Sequence, residues 1–326
     1  MFWASYLLAG LAIILAWPVP VLLSRAKWPA RSPFTAMVLW QAIALAGGLS
    51  MIGAMLTWGL EPIGDNLAQG ISALWDILIQ RRPAETLGLV HVFAISAALL
   101  LSAHLVFTLL LTFYRIQGAR RRHRDMLNLL SSPSLDAPAT LVIPHPSPVA
   151  YCLPGGAQSV TVLSDGLMDI LTESELSAVM THEKAHLSQR HHLLLWAFAA
   201  WRAALPWLPT SQLAQRSVNE LIEMLADDEA LKKVDRPTLI RAVAIVGSGA
   251  GSVSGTESAA GIPAASTATV TGGGSAGEGV GMAGRLSRLL TPQPPLPQWA
   301  KALVQACSVL LLAVPTVLLF APGLIH

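Results

Sequence analysis

His182-Glu183-Lys184-Ala185-His186, introduced by Thr172-Glu173-Ser174-Glu175, is the stretch on which the reading of this chain turns. A threonine followed three residues later by a glutamate is a capping box, so a helix starts here and carries the histidine pair about two turns in. Residues four apart share a helix face, so His182 and His186 can hold one Zn2+ together, with Glu183 beside the position where water binds. That is the pattern of zinc-hydrolase chemistry, in which the carboxylate takes a proton from the water and returns it to the leaving amine. The same residues on a solvated surface helix would do nothing, so a third ligand decides the matter.

A catalytic zinc site usually has three protein ligands and one open position. His192 follows His186 by six residues, as in the metzincin pattern, but Gln189 stands where that pattern has a turn-making glycine. A helix running on would point His192 away from the metal. Glu220, Glu223, Asp227, Asp228 and Glu229 cluster on a predicted helix over 217–233. Glu223 and Asp227 are four apart, which suits one carboxylate on the metal and another bonding a ligand imidazole; Glu220 shares that face and is the rival ligand. Leu221, Ile222, Met224 and Leu225 imply that part of this helix is buried.

The whole chain is 53% hydrophobic and only 12% charged, against roughly 25% charged residues in an ordinary soluble domain. Phe2 to Leu23, Met37 to Leu60, Val90 to Tyr114 and Ala302 to Pro322 are apolar runs long enough to span a bilayer. The expected fold is therefore membrane α-helical, with four transmembrane helices and a cytoplasmic α+β zinc peptidase domain. The first run has no basic n-region and no convincing cleavage site, so it is expected to be retained. Arg25, Lys27 and Arg31 fill the first loop, and Arg115, Arg120, Arg121, Arg122 and Arg124 follow the third run. The loop between runs two and three sets Glu61, Asp65, Asp76 and Glu85 against Arg81 and Arg82. The positive-inside rule then places the N-terminus outside and the segment after Tyr114 in the cytoplasm.

A net charge of +2 gives no broad basic surface, which argues against direct nucleic-acid binding. Cys152 and Cys307 fall on different sides of this topology and are not expected to pair. His91 and His104 within the third run have no acidic partner in a neighbouring span, which favours packing over a proton or ion pathway.

The expected organisation is three spans over 1–114, a peptidase domain over 115–246, a flexible linker over 247–298 and a fourth span over 299–326. Within the domain, 141–143 reads as a strand, and 149–153 with 159–163 as a hairpin around Pro154-Gly155-Gly156. An extended substrate peptide could add to such a sheet edge. The Trp-rich run from His192 to Leu208 is too short to span and belongs in the core or at the membrane surface. Gly, Ser, Ala and Thr dominate 247–284, a composition suited to a tether or a self-cleavage site.

His182-Glu183-Lys184-Ala185-His186 with Glu223-Met224-Leu225-Ala226-Asp227-Asp228-Glu229-Ala230 resembles the zinc motifs of the BlaR/MecR membrane metallopeptidases. Residues 148–155, 163–166 and 175–179 are similar to that family's run into the metal helix. The resemblance implies a gluzincin-like zinc peptidase domain, with His182, His186 and Glu223 as ligands, Glu183 as base and Asp227 as the carboxylate behind a ligand. It implies signalling by cleavage of a BlaI-type repressor, with a homo-oligomer possible. The chain ends after the fourth span, so no penicillin-binding sensor domain is expected, and the loop 61–88 is the external candidate for detecting a stimulus. An HtpX-like quality-control protease, and a membrane scaffold or transporter with a vestigial motif, are the competing expectations.

Overall fold

The computed structural model describes residues 1–80, 87–133, 140–153, 159–253 and 276–320. Among these, four helices are long and apolar enough to cross a membrane: Phe2–Arg25, Pro33–Ile63, Leu89–Leu130 and Gln298–Phe320. The first is broken into α1 (Phe2–Ala16) and α2 (Pro18–Arg25). Pro18 disfavours helical backbone at Trp17, whose φ is −131°. The second is α3 (Pro33–Leu60), and α4 (Leu67–Gln80) occupies much of the loop that follows. The third, α5 (Leu89–Leu130), does not stop at Tyr114. Its arginine run is made of good helix formers and simply continues the coil, so the domain start expected at 115 falls inside a helix.

The chain divides into two compact units. One contains Met1–Leu110, Ala200–Ser217 and Leu296–His326, the last including α12 (Gln298–Phe320). Its centre is α3, which packs against α1 and α12. The buried positions of α3 are mostly small, including Ala36, Ala42, Ala46, Gly48, Ser50 and Gly53, which lets neighbouring helices approach closely. Gly48 shows why: a Cβ there would lie 2.8 Å from the indole of Trp201. The end of the Trp-rich run is core in this unit, where Trp201, Ala204, Leu205 and Leu208 pack with Ala16, Met51, Leu101 and Leu105. Its backbone is tied down as well: Thr210 Oγ1 donates to Leu15 O at 2.7 Å, and His104 Nε2 lies 3.0 Å from Ala204 O. Phe93, Phe107, Val309 and Leu310 point outward and are exposed.

The second unit contains Leu111–Ala199 and Val218–Pro295. Strands β1 (Ser132–Pro133), β2 (Thr140–Ile143), β3 (Ala150–Leu153) and β4 (Val160–Ser164) form one sheet in the order β1-β2-β4-β3. The expected pairing of 149–153 with 159–163 appears as β3 antiparallel to β4, with Cys152 opposite Thr161. The turn assigned to Pro154-Gly155-Gly156 lies outside the described residues. Among the described residues β3 is an edge strand, paired only with β4. Six helices follow: α6 (Asp165–Ile170), α7 (Glu173–Ser188), α8 (His191–Ala204), α9 (Pro209–Ala230), α10 (Arg236–Val253) and α11 (Ala276–Leu290). The core joins Leu163, Leu167, Ala178, Val179, Ala230, Leu239, Ala242 and Leu289.

That last residue corrects the linker reading. The stretch 247–298 holds the end of α10 and all of α11, and Met282, Leu286 and Leu289 pack into the core. Their spacing of four and three residues makes one apolar helix face. The Gly- and Ser-rich composition upstream hid it, and 254–275 lies outside the described residues.

Gly166 sits where α6 leaves β4, its N–H bonded to His145 O at 3.1 Å. A side chain there would collide with the Pro146 carbonyl, which is backbone and cannot yield. Gly166→Ala should destabilise the protein by about 2 kcal/mol or more, read as a fall in the thermal midpoint of the detergent-solubilised chain.

Candidate metal centre

α7 starts as expected. Thr172 Oγ1 accepts from the Glu175 backbone N–H, and Glu175 Oε2 accepts from the Thr172 N–H at 3.0 Å, completing the capping box. Two turns on, His182 and His186 point from one face, both 7% exposed, with their Nε2 atoms 3.2 Å apart. Glu223 comes from α9 to meet them: its Oε2 lies 3.4 Å from His182 Nε2 and its Oε1 3.4 Å from His186 Nε2. Among the described residues these three form a cluster whose donor atoms all lie within 4.8 Å of one another. Glu220 is exposed and outside it.

The outer nitrogens decide which way the protons point. His182 Nδ1 lies 3.0 Å from Asp227 Oδ1, a carboxylate oxygen that can only accept, so a neutral His182 carries its proton on Nδ1. His186 Nδ1 lies 3.0 Å from His191 Nδ1, and His191 Nε2 lies 2.9 Å from Gln189 Oε1. The Gln189 carbonyl accepts, so His191 donates from Nε2 and accepts at Nδ1, and His186 donates from Nδ1. When neutral, both imidazoles therefore turn a lone pair inward, toward each other and toward a carboxylate. Three electron-rich groups converging at such distances fit a divalent cation such as Zn2+, and ligand imidazoles held from behind by a carboxylate or other acceptor are the usual arrangement.

Titration reflects the same demand for positive charge. Burial pushes His182 down, but its contacts with Asp227 and Glu223 outweigh that and raise it to about 9. His186 is lowered to about 4, chiefly by burial. Burial pushes Glu223 up, yet the His182 contact and the charges of His186 and Arg285 hold it below the ordinary carboxylate range. Glu183 is raised to about 7 by burial and by the Glu223 charge, against the pull of His182 and the Cys152 backbone N–H that donates to it. That bond ties the carboxylate to edge strand β3.

Two participants were not anticipated. His191, 1% exposed, reaches His186 because α7 ends without a glycine: Arg190 itself adopts φ 51° and the chain turns into α8. The turn argued against at Gln189 thus exists, but it returns His191 and not His192, which is absent from the cluster. Arg285 of α11 donates from Nη1 to Glu223 Oε2 at 2.8 Å, and from Nε and Nη2 to Asp227 at 3.0 and 2.7 Å. Three residues on, Arg288 grips Asp228 through two bonds of 2.8 and 2.9 Å. Two arginines three apart, flanked by an apolar helix face, were the available signal.

Residues 117–236 match the model of Peptidase family M48. The matched segment, less than half of the chain, carries the paired histidines, Glu183, Glu223 and Asp227, and marks a metallopeptidase domain in a family whose peptidases are zinc-dependent. The match ends before Arg285. No solved structure matches the chain.

A proton on His182 Nε2 occupies the lone pair a metal needs. Zinc affinity should therefore rise by up to roughly tenfold per pH unit from pH 6 to about 9 and then level off, as measured by chelator competition. Asp227→Ala and His191→Ala should each weaken zinc binding by about 10–100-fold in the same assay.

Proposed function

We propose that the chain is an integral-membrane zinc endopeptidase that cleaves a cytoplasmic protein. The observation that carries this reading is the convergence of His182, His186 and Glu223 beside Glu183, whose carboxylate is bonded to the backbone of an edge strand. His182 Nε2, His186 Nε2 and the Glu223 carboxylate would hold the metal, and Asp227 and His191 would orient the imidazoles. When bound, Zn2+ supplies a Lewis acid that activates water and polarises a carbonyl. Glu183 would take the proton from the attacking water and deliver it to the departing amine nitrogen. The side of β3 turned away from β4, on which the Cys152 N–H already serves Glu183, would take an extended peptide through its remaining backbone groups and bring the scissile bond next to Glu183.

The membrane setting rests on the four apolar helices and the large apolar side chains they expose, which suit a lipid bilayer as partner. The arginine distribution supports an outside N-terminus and a cytoplasmic peptidase domain. For the substrate we propose a BlaI-type repressor, on the resemblance of the two zinc motifs and on three candidate spans before the metal helix and one after it. An HtpX-like quality-control role fits the family match equally. Reporter fusions that find two spans before residue 182 would favour it.

Glu183→Ala should retain zinc and lose peptide cleavage by about 10²–10⁴-fold, because the base is gone while the ligands remain. Glu223→Ala should lose most of the metal, and full retention there would remove Glu223 from the ligand set. Proteomic comparison of cells carrying wild type and Glu183→Ala should show the uncleaved substrate accumulating. The base works only when ionised, so kcat/KM should fall with decreasing pH along a limb at or below about 7, since a nearby cation lowers the Glu183 pKa further.

A further inference from the structure

We propose that Arg285 fixes Glu223 as a one-oxygen ligand and thereby keeps a coordination position of the metal open. This rests on the metal-centre reading above and adds a positioning residue beyond the segment that matches the peptidase family.

A carboxylate can bind a cation through one oxygen or through both. In a site with three protein ligands, the second oxygen of Glu223 would compete for the place that water and substrate need. Each oxygen of Glu223 faces one imidazole at 3.4 Å, Oε2 His182 Nε2 and Oε1 His186 Nε2, but Arg285 Nη1 donates to Oε2 at 2.8 Å, which leaves Oε1 as the oxygen for the metal. The guanidinium has little freedom to swing away. Its Nε and Nη2 are both bonded to Asp227, and its side chain is 11% exposed. Asp227 in turn faces His182 Nδ1, so one planar fork sets the Glu223 carboxylate and the His182 ring relative to each other. A lysine supplies the charge but not the fork.

The helix that delivers Arg285 has other anchors. Leu289 is 1% exposed in the core, and Arg288 holds Asp228 and reaches the Met224 carbonyl at 3.4 Å. Loss of the Arg285 contacts can therefore be separated from undocking of α11.

The test uses the full chain in detergent, stripped of metal and titrated with Co2+, whose visible absorption is strong when four-coordinate and weak at higher coordination. Zn2+ affinity is measured in parallel by chelator competition. Wild type and Arg288→Ala should give the intense band. Arg285→Ala should give a weakened band and about 10–100-fold lower Zn2+ affinity. If Arg285→Ala does not fold, Arg285→Lys serves, and the same loss of band intensity is expected because one ammonium cannot hold both carboxylates. An Arg285 variant with the wild-type band overturns the proposal, as does an equal change in Arg288→Ala, which would reduce Arg285 to a docking contact. A wild-type chain that takes up neither ion sinks the metal-centre reading itself.

Discussion

Negative charge packed into a nearly dry space is the constraint around which the peptidase unit is organised. Glu183, Glu223 and Asp227 crowd two buried histidines, and carboxylates this close are tolerable only if positive charge is shared among them. Arg285 supplies one such charge, bonded to two of the three acids at once. The contacts with Asp227 and Glu223 raise the His182 pKa, so the cluster favours a proton on that imidazole as well. α7, α9 and α11 each contribute a member, so the packing of Ala178, Ala230 and Leu289 into one core is what brings the charges together.

Much of this was legible from the chain alone. The capping box at Thr172 and the four-residue spacing of His182 and His186 are local rules, and they hold as a helix with both rings on one side. Glu223 and Asp227 follow the same spacing on α9, and the tertiary fold brings them to the histidines. The apolar runs are equally local, and each corresponds to a helix of spanning length.

What escaped notice depends on relations that spacing does not encode. His191 reaches His186 only because Arg190 takes a left-handed conformation that non-glycine residues rarely adopt. Arg285 belongs to a helix whose low-complexity upstream neighbours dominate any composition window, while its partners lie 58 and 62 residues earlier. The break at Trp17, imposed by Pro18, leaves the first apolar run a candidate span, and the uninterrupted passage of α5 beyond Tyr114 shows that a change from apolar to basic residues leaves a helix intact.

The place of α11 in the chain has a consequence for biosynthesis. A ribosome delivers both histidines, then Glu223 and Asp227, and only much later the guanidinium that joins those two acids. The nascent domain must pass through a stage in which its acidic pair lacks that counter-charge, and the assembled arrangement arises only after α11 has been translated.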